Sequence, residues 1–324
     1  MRIVIASMCI PFAQHPGTGL VEQLRAQLVR RGYSAEVVLL PFIPDWRTLV
    51  EQTAAVRLLD LTESCGNRID RLITVRYPSF ALKHPNKVAW FTPAAAEGGW
   101  PDAATDPVAR SHRDLMRRSD SAFLRECRWV FTTSWAAADR VRRFLRMEPH
   151  GILYPPLSPD HPFRPGPFGD YLLCDGWSPL VAEAVAAAEP GVRVVVTDDR
   201  PAGEVDGRVT FVGAVPTERK AELLAGSCGL VHVQSAADPT GTSVLEAFHA
   251  HKPVLTPRGG GGSAELVREG ESGWVYPPVP SLLGAAMTRL WRERADGERM
   301  GRVGHATLAH AGIDWDTVVR GLLA

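Results

Sequence analysis

Short apolar runs alternate along this chain with segments whose apolar positions recur every three or four residues. In the first half, Ile3–Ser7, Ala35–Leu40, Leu72–Val75, Lys87–Phe91, Trp129–Thr132 and Ile152–Tyr154 read as strands. Runs of this length, continuous rather than alternating, suit strands covered on both faces. Between the first two, Leu20 to Arg31 has helical spacing and stops at Gly32, a residue suited to a left-handed cap. The second half repeats the scheme with strands at Tyr171–Cys174, Arg193–Val196, Val209–Val212, Gly229–Val233, Pro253–Leu255 and Gly273–Tyr276. Its helices fall near Pro179–Ala188, Thr217–Ala225, Thr242–Ala250 and Ser263–Arg268. Such alternation predicts an α/β fold with parallel sheets.

The two series meet at PPLSPDHPFRPGPFG, Pro155 to Gly169, where six prolines and two glycines read as a linker. A length of 324 residues suits two domains, which we place at 1–163 and 164–311, with a terminal helical segment at 312–324. Net charge is zero, so no global field draws the chain to nucleic acid or an anionic membrane. The halves differ. Residues 1–163 hold 21 Lys/Arg against 16 Asp/Glu, and the remainder 15 against 20.

Ten arginines (Arg110, Arg113, Arg117, Arg118, Arg125, Arg128, Arg140, Arg142, Arg143 and Arg146) lie on two expected helices. They read as a solvated face, without the interleaved aromatics that stack nucleic-acid bases. Five scattered cysteines (Cys9, Cys65, Cys127, Cys174 and Cys228) argue against a disulfide framework and a zinc site. Ile3 to Ile10 is too short for a membrane span. These features predict a cytoplasmic protein without a metal, with membrane association and nucleic-acid partners not expected.

The densest chemistry runs from Asp238 to Glu265 (DPTGTSVLEAFHAHKPVLTPRGGGGSAE). Asp238 and Glu246 are eight positions apart, with Pro239, Thr240 and Gly241 forming a loop before a helix opening at Thr242. A helix N-terminus offers N–H groups and the positive dipole end to a phosphate, while carboxylates accept hydrogen bonds from hydroxyls. A nucleotide sugar carries both groups.

This segment resembles the signature of retaining glycosyltransferases of family 4: an acid, seven residues, then Glu. A strand (Lys252–Thr256), a Gly-rich turn (Gly259 to Glu265) and SGWVYPP (Ser272 to Pro278) follow as in that family. Asp238 replaces the commoner Glu, and Thr240 the usual Phe. The resemblance spans nearly the whole chain. It implies the GT-B architecture, two Rossmann-like domains with the donor in the cleft between them, and a final helix (Trp315–Leu323) that crosses back to the first domain.

By the same resemblance, Glu246 holds the ribose hydroxyls, Asp238 faces hydroxyls of the transferred sugar, and Gly241, Thr242 and Ser243 meet sugar and phosphate. Gly213 and Val215 border the base. Gly17, Thr18 and Gly19 form a donor- or acceptor-facing loop after His15-Pro16, and Arg76 and Thr92 are acceptor-side candidates. Two departures stand out. Relatives follow the first strand of the second domain with Gly-Arg and a later Lys, which neutralise the leaving diphosphate. Here Trp177 stands in the Arg position and no Lys follows, so Arg200 and Arg258 become the candidate replacements. Asp198 would oppose a diphosphate unless a cation lay beside it. The His that in relatives follows the strand at Trp90-Phe91 is replaced by Thr92-Pro93, which leaves its role vacant or moves it to His15.

The reading predicts metal-independent transfer with retention, from a nucleotide diphosphate sugar (a GDP-sugar favoured) to a small-molecule acceptor and with no bound cofactor. A nucleophilic thiol or thione, such as ergothioneine in antibiotic biosynthesis, would need least help with deprotonation. A non-catalytic nucleotide-sugar-binding protein, or an activating partner, is the alternative that the missing cations leave open.

Overall fold

The computed structural model describes residues 1–12, 16–91, 107–198, 200–205, 207–232, 241–259 and 261–324. The chain divides into two compact units, Met1–Pro155 with Trp315–Ala324, and Pro156–Asp314. The sequence reading set the change at 163/164 and began the terminal segment at 312; the structure sets these at Pro155/Pro156 and Trp315. The proline-rich segment goes with the second unit because Lys252, buried, donates to the carbonyls of Gly166 (3.2 Å) and Pro167 (2.9 Å). Burial pulls its pKa down to about 8.

In the first unit the elements are β1 (Arg2–Cys9), α1 (Pro16–Arg30), β2 (Ser34–Pro41), α2 (Leu49–Leu58), β3 (Glu63–Ser64), β4 (Asn67–Arg68) and β5 (Arg71–Thr74). They continue with β6 (Lys87–Phe91), α3 (Pro107–Arg125), β7 (Trp129–Thr132), α4 (Trp135–Leu145) and β8 (Gly151–Ile152). Among the described residues, six strands form a sheet in the order β2-β1-β5-β6-β7-β8, parallel throughout. The order reverses at β1 and β5, so their carboxyl ends flank a crevice. Ile3, Ile5, Ile73, Val88 and Trp90 fill one face of the sheet and Val4, Leu72, Ala89 and Val130 the other. Both faces are covered, which explains the unbroken apolar runs.

Gly17-Thr18-Gly19 was expected in the loop before the first helix; the structure corrects this. The helix starts at Pro16, whose fixed φ suits a first helical position, and the three residues occupy its first turn. The arginine-rich helices α3 and α4 are present, and several of their arginines are spent on neighbours: Arg117 with Asp114, Arg142 with Glu148 and Arg143 with Asp139.

The second unit contains β9 (Tyr171–Cys174), α5 (Pro179–Ala187), β10 (Arg193–Val196), β11 (Gly203–Val205), β12 (Val209–Phe211), α6 (Thr217–Ala225), β13 (Gly229–Val231), α7 (Thr242–His249) and β14 (Val254–Pro257). It ends with α8 (Gly262–Leu266), β15 (Gly273–Tyr276), α9 (Pro280–Arg292) and α10 (Arg294–His310). Its described strands form a sheet in the order β11-β12-β10-β9-β13-β14-β15, parallel except for the edge strand β11. Here the order reverses at β9 and β13. Helix α8 is shorter than expected: Gly261 caps it at φ +62°, and the extended backbone of Val267 stops it before Arg268.

Helix α11 (Trp315–Leu323) packs on the first unit's sheet. Arg71 donates to the carbonyls of Leu322 (2.7 Å) and Ala324 (3.1 Å), Trp129 Nε1 reaches Ala324 O (3.1 Å), and Arg31 pairs with Asp316. Cations on the last carbonyls of a helix satisfy groups that the helix cannot, and complement its dipole.

Candidate active site

Chemistry gathers at the carboxyl ends of β9, β13 and β14, where the second sheet reverses order. Parallel register pairs Cys174 with Val231 and Val231 with Leu255, so Asp175 and His232 emerge side by side one residue later. His232 Nδ1 lies 2.6 Å from Asp175 Oδ2, and its Nε2 lies 2.9 Å from Ser263 Oγ in the first turn of α8. His232 and Ser263 are fully buried. Asp175 Oδ1 is buried and makes no hydrogen bond among the described residues. The field of this carboxylate reaches its neighbours. Burial first, then Asp175 and Asp198, hold the Cys174 thiol well above its ordinary pKa, and burial with Cys174 and Asp175 raises Tyr276.

Gly241 begins the signature helix in the left-handed region, at φ +65° and ψ 30°. A Cβ there would come 2.9 Å from Leu266 Cδ1 and 3.2 Å from the Gly262 carbonyl oxygen. Only glycine allows this approach, which sets the start of α7 against the first turn of α8. The first residues of α7 are Thr242, exposed, and Ser243, half-buried. One turn on, Glu246 is buried with its side chain 12% exposed, and Lys220 of α6 pairs with it at 2.5 Å (Nζ to Oε2). Lys220 Nζ is also 3.4 Å from Ser243 Oγ.

Arg200 packs against the loop that carries Trp177. Its Nη2 donates to the Trp177 carbonyl at 3.1 Å, and its guanidinium carbon is 5.7 Å from the Phe211 ring, on which Trp177 also packs edge-on at 5.2 Å. Its Nε lies 3.7 Å from Asp198 Oδ2, which places a cation beside the unwelcome carboxylate and spends part of its charge there. Gly213, at φ +75°, approaches the backbone of Arg200: a Cβ would lie 3.4 Å from its carbonyl oxygen. Val215 follows, half-buried. Arg258 is exposed at the end of β14, and its side chain makes no ion pair among the described residues.

Asp238, His15 and Thr92 lie outside the described residues, as does the side chain of Thr18; Gly19 is exposed with open space beside it. Arg76 lies just beyond β5, at the crevice of the first sheet. Burial lowers its pKa, and the thiol of Cys9 from the neighbouring strand opposes that shift. All five cysteines are free. Among the described residues no His/Cys/Asp/Glu group could hold a metal ion, and no helix is long and apolar enough to cross a membrane.

Sequence reasoning missed Lys220 and the Asp175–His232–Ser263 chain. Neither has a local motif: Lys220 meets Glu246 by a side-chain contact between residues 26 positions apart, and Asp175 meets His232 through strand register.

Comparison with known proteins bears on this arrangement. Residues 201–306 match the family model described as "Glycosyl transferases group 1". A stretch of 132 residues is 35% identical to D-rhamnosyltransferase WbpZ of Pseudomonas aeruginosa, covering 39% of this chain and only 30% of that protein. Among solved structures, a sucrose-phosphate synthase from Thermosynechococcus elongatus superposes with a TM-score of 0.72 at 17% identity, covering 99% of this chain and 98% of that one. The Anabaena protein HepE, in complex with UDP, gives 0.68 at 14% identity, covering 100% and 98%. WaaG, a glycosyltransferase involved in lipopolysaccharide biosynthesis, gives 0.58 at 15% identity, covering 95% and 96%. The chain therefore has the GT-B fold, and its residues 201–306 match the model of glycosyl transferases group 1.

Proposed function

We propose that the chain is a glycosyltransferase that moves a sugar from a nucleoside diphosphate donor with retention of configuration. The observation that carries this reading is the start of α7: Thr242 and Ser243 open the helix, and the buried Glu246 one turn later is paired with Lys220. A diphosphate suits the helix start, and ribose hydroxyls suit the carboxylate. The ion pair also holds the carboxylate of Glu246 in one orientation for those hydroxyls. The relative named as a D-rhamnosyltransferase and the neighbour solved with UDP support a nucleotide sugar as donor.

Breaking the sugar–phosphate bond places negative charge on the departing diphosphate, and cations aimed at that charge lower the barrier. Lys220, Arg200 and Arg258 are the cations we assign to this work, in place of the Arg and Lys that Trp177 and its short loop lack. The leaving diphosphate then takes the acceptor's proton, so no step requires a metal. GDP-sugars head the donors to be tried, and small thiols and thiones, ergothioneine among them, head the acceptors. Arg76 and Cys9 mark the acceptor side of the first unit.

The test is turnover: nucleoside diphosphate release from GDP- and UDP-sugars with a panel of hydroxyl, thiol and thione acceptors, in the presence of a chelator. Release that depends on an acceptor supports the proposal. Tight nucleotide binding without release from any pair supports the second reading, a nucleotide-sugar-binding protein without transferase activity. Trp177 in the arginine position is the observation that favours that alternative.

A further inference from the structure

One hydrogen-bonded chain joins the residues that follow β9 and β13 to the first turn of α8. Asp175 belongs to the loop after β9 that carries Trp177, His232 closes β13 and leads toward the signature, and Ser263 follows the Gly-rich turn after β14. The chain runs Asp175 Oδ2 to His232 Nδ1 at 2.6 Å, then His232 Nε2 to Ser263 Oγ at 2.9 Å. Burying a carboxylate and an imidazole is costly, and hydrophobic side chains of similar volume would fill the same space without that cost. Asp175 also keeps one buried oxygen without a hydrogen bond among the described residues, a further unfavourable feature for a purely structural pair. What the three groups secure is geometry. An imidazole bonded on both nitrogens has a fixed ring plane, and it fixes in turn the hydroxyl and the carboxylate that it joins.

The chain also reaches the phosphate-facing backbone. Ser263 adjoins Gly262, whose carbonyl oxygen lies against Gly241, and Gly241 directly precedes Thr242 and Ser243. We propose that Asp175, His232 and Ser263 form a positioning relay for the donor site. His232 holds the Gly-rich turn against the start of α7 through Ser263, and through Asp175 it holds the loop of Trp177, whose carbonyl Arg200 bonds. Donor affinity therefore depends on a histidine that touches no substrate. The inference rests on the nucleotide-sugar reading above.

The experiment uses the full chain with His232→Ala, His232→Gln, Ser263→Ala and the His232→Ala/Ser263→Ala double variant. Nucleoside diphosphate affinity is measured by calorimetry, KM and kcat for the nucleotide sugar by product release, and folding by thermal midpoint. The relay predicts that His232→Ala and Ser263→Ala each weaken nucleoside diphosphate binding about tenfold, on the scale of one lost charge-assisted hydrogen bond. KM should rise more than kcat falls. Glutamine donates and accepts from one amide, so His232→Gln should recover most of the affinity. Members of one network are non-additive, so the double variant should be little worse than His232→Ala alone.

Affinity and KM within twofold of wild type in both single variants would overturn the relay, and so would fully additive losses. If His232→Ala does not fold, Ser263→Ala, which removes a single hydroxyl, decides the matter. Wild-type protein that binds no nucleoside diphosphate would remove the donor-site reading together with the relay. Wild-type binding with unaffected variants would remove the relay alone.

Discussion

Replacing Glu246 by glutamine tests the donor site and its ion pair together. The Lys220–Glu246 contact is 2.5 Å between side chains 21% and 12% exposed. With an effective dielectric near 20, the gross attraction is about 7 kcal/mol, most of which the desolvation of both groups offsets. The amide would keep the shape and lose the charge, leaving Lys220 half-buried beside a neutral group. We expect a stability loss of roughly 1–2 kcal/mol, which for units of this size lowers the thermal midpoint by about 2–8 °C. The ligand effect is separate. Ribose hydroxyls would lose a charged acceptor worth about 1.5–3 kcal/mol, which weakens nucleoside diphosphate binding by roughly 10- to 150-fold. Calorimetry with GDP and UDP reads the second effect and a thermal melt the first. Lys220→Met, alone and combined with Glu246→Gln, closes the cycle: the double variant should be more stable than the two single losses predict. Affinity unchanged in Glu246→Gln would refute the assignment of this carboxylate to the ligand.

Arg200→Ala and Arg258→Ala should each lower kcat/KM by about tenfold or more in a product-release assay, as expected for cations aimed at a leaving group; equal rates in both variants would return the two residues to the solvated surface. Gly241→Ala should destabilise by about 1–3 kcal/mol and weaken nucleotide binding, because its φ of +65° and the 2.9 Å approach to Leu266 both exclude a Cβ. In α10, Gly301→Ala would set a Cβ 1.9 Å from the His251 carbonyl oxygen, so a melt should show a loss of about 3 kcal/mol or more, without a change in ligand affinity per folded molecule. Burial, then neighbouring His161 and His305, lower His249 to about 4 from 6.5. The unfolded chain thus binds the extra proton first, and stability should fall as pH drops from about 6.5 to about 4. His249→Asn should flatten that slope; an unchanged slope would exclude His249 as its source.

Much of the fold was legible because its strands are covered on both faces. Tyr171–Cys174, Arg193–Val196, Lys87–Phe91, Trp129–Thr132 and Gly273–Tyr276 fall where the apolar runs set them. Where burial is absent the pattern falls silent. The exposed edge strand Gly203–Val205 and the hairpin of Glu63–Ser64 with Asn67–Arg68 carry no apolar run at all. Glycines misled in the opposite direction, since Gly17 and Gly19 read as a loop yet sit in a helix that Pro16 starts. For the site, the spacing from Gly241 to Glu246 announced a helix start beside a carboxylate. Its partner Lys220 and the Asp175–His232–Ser263 chain depend on a contact between distant residues and on parallel register, which no local spacing encodes.

The most direct measurement of the central claim is calorimetric titration of the wild-type chain with GDP, UDP, ADP and TDP in the presence of a chelator. The account predicts saturable one-to-one binding of at least one of these nucleoside diphosphates, lost or strongly weakened in Glu246→Ala. Absence of binding to all four, or binding that Glu246→Ala leaves intact, would contradict it.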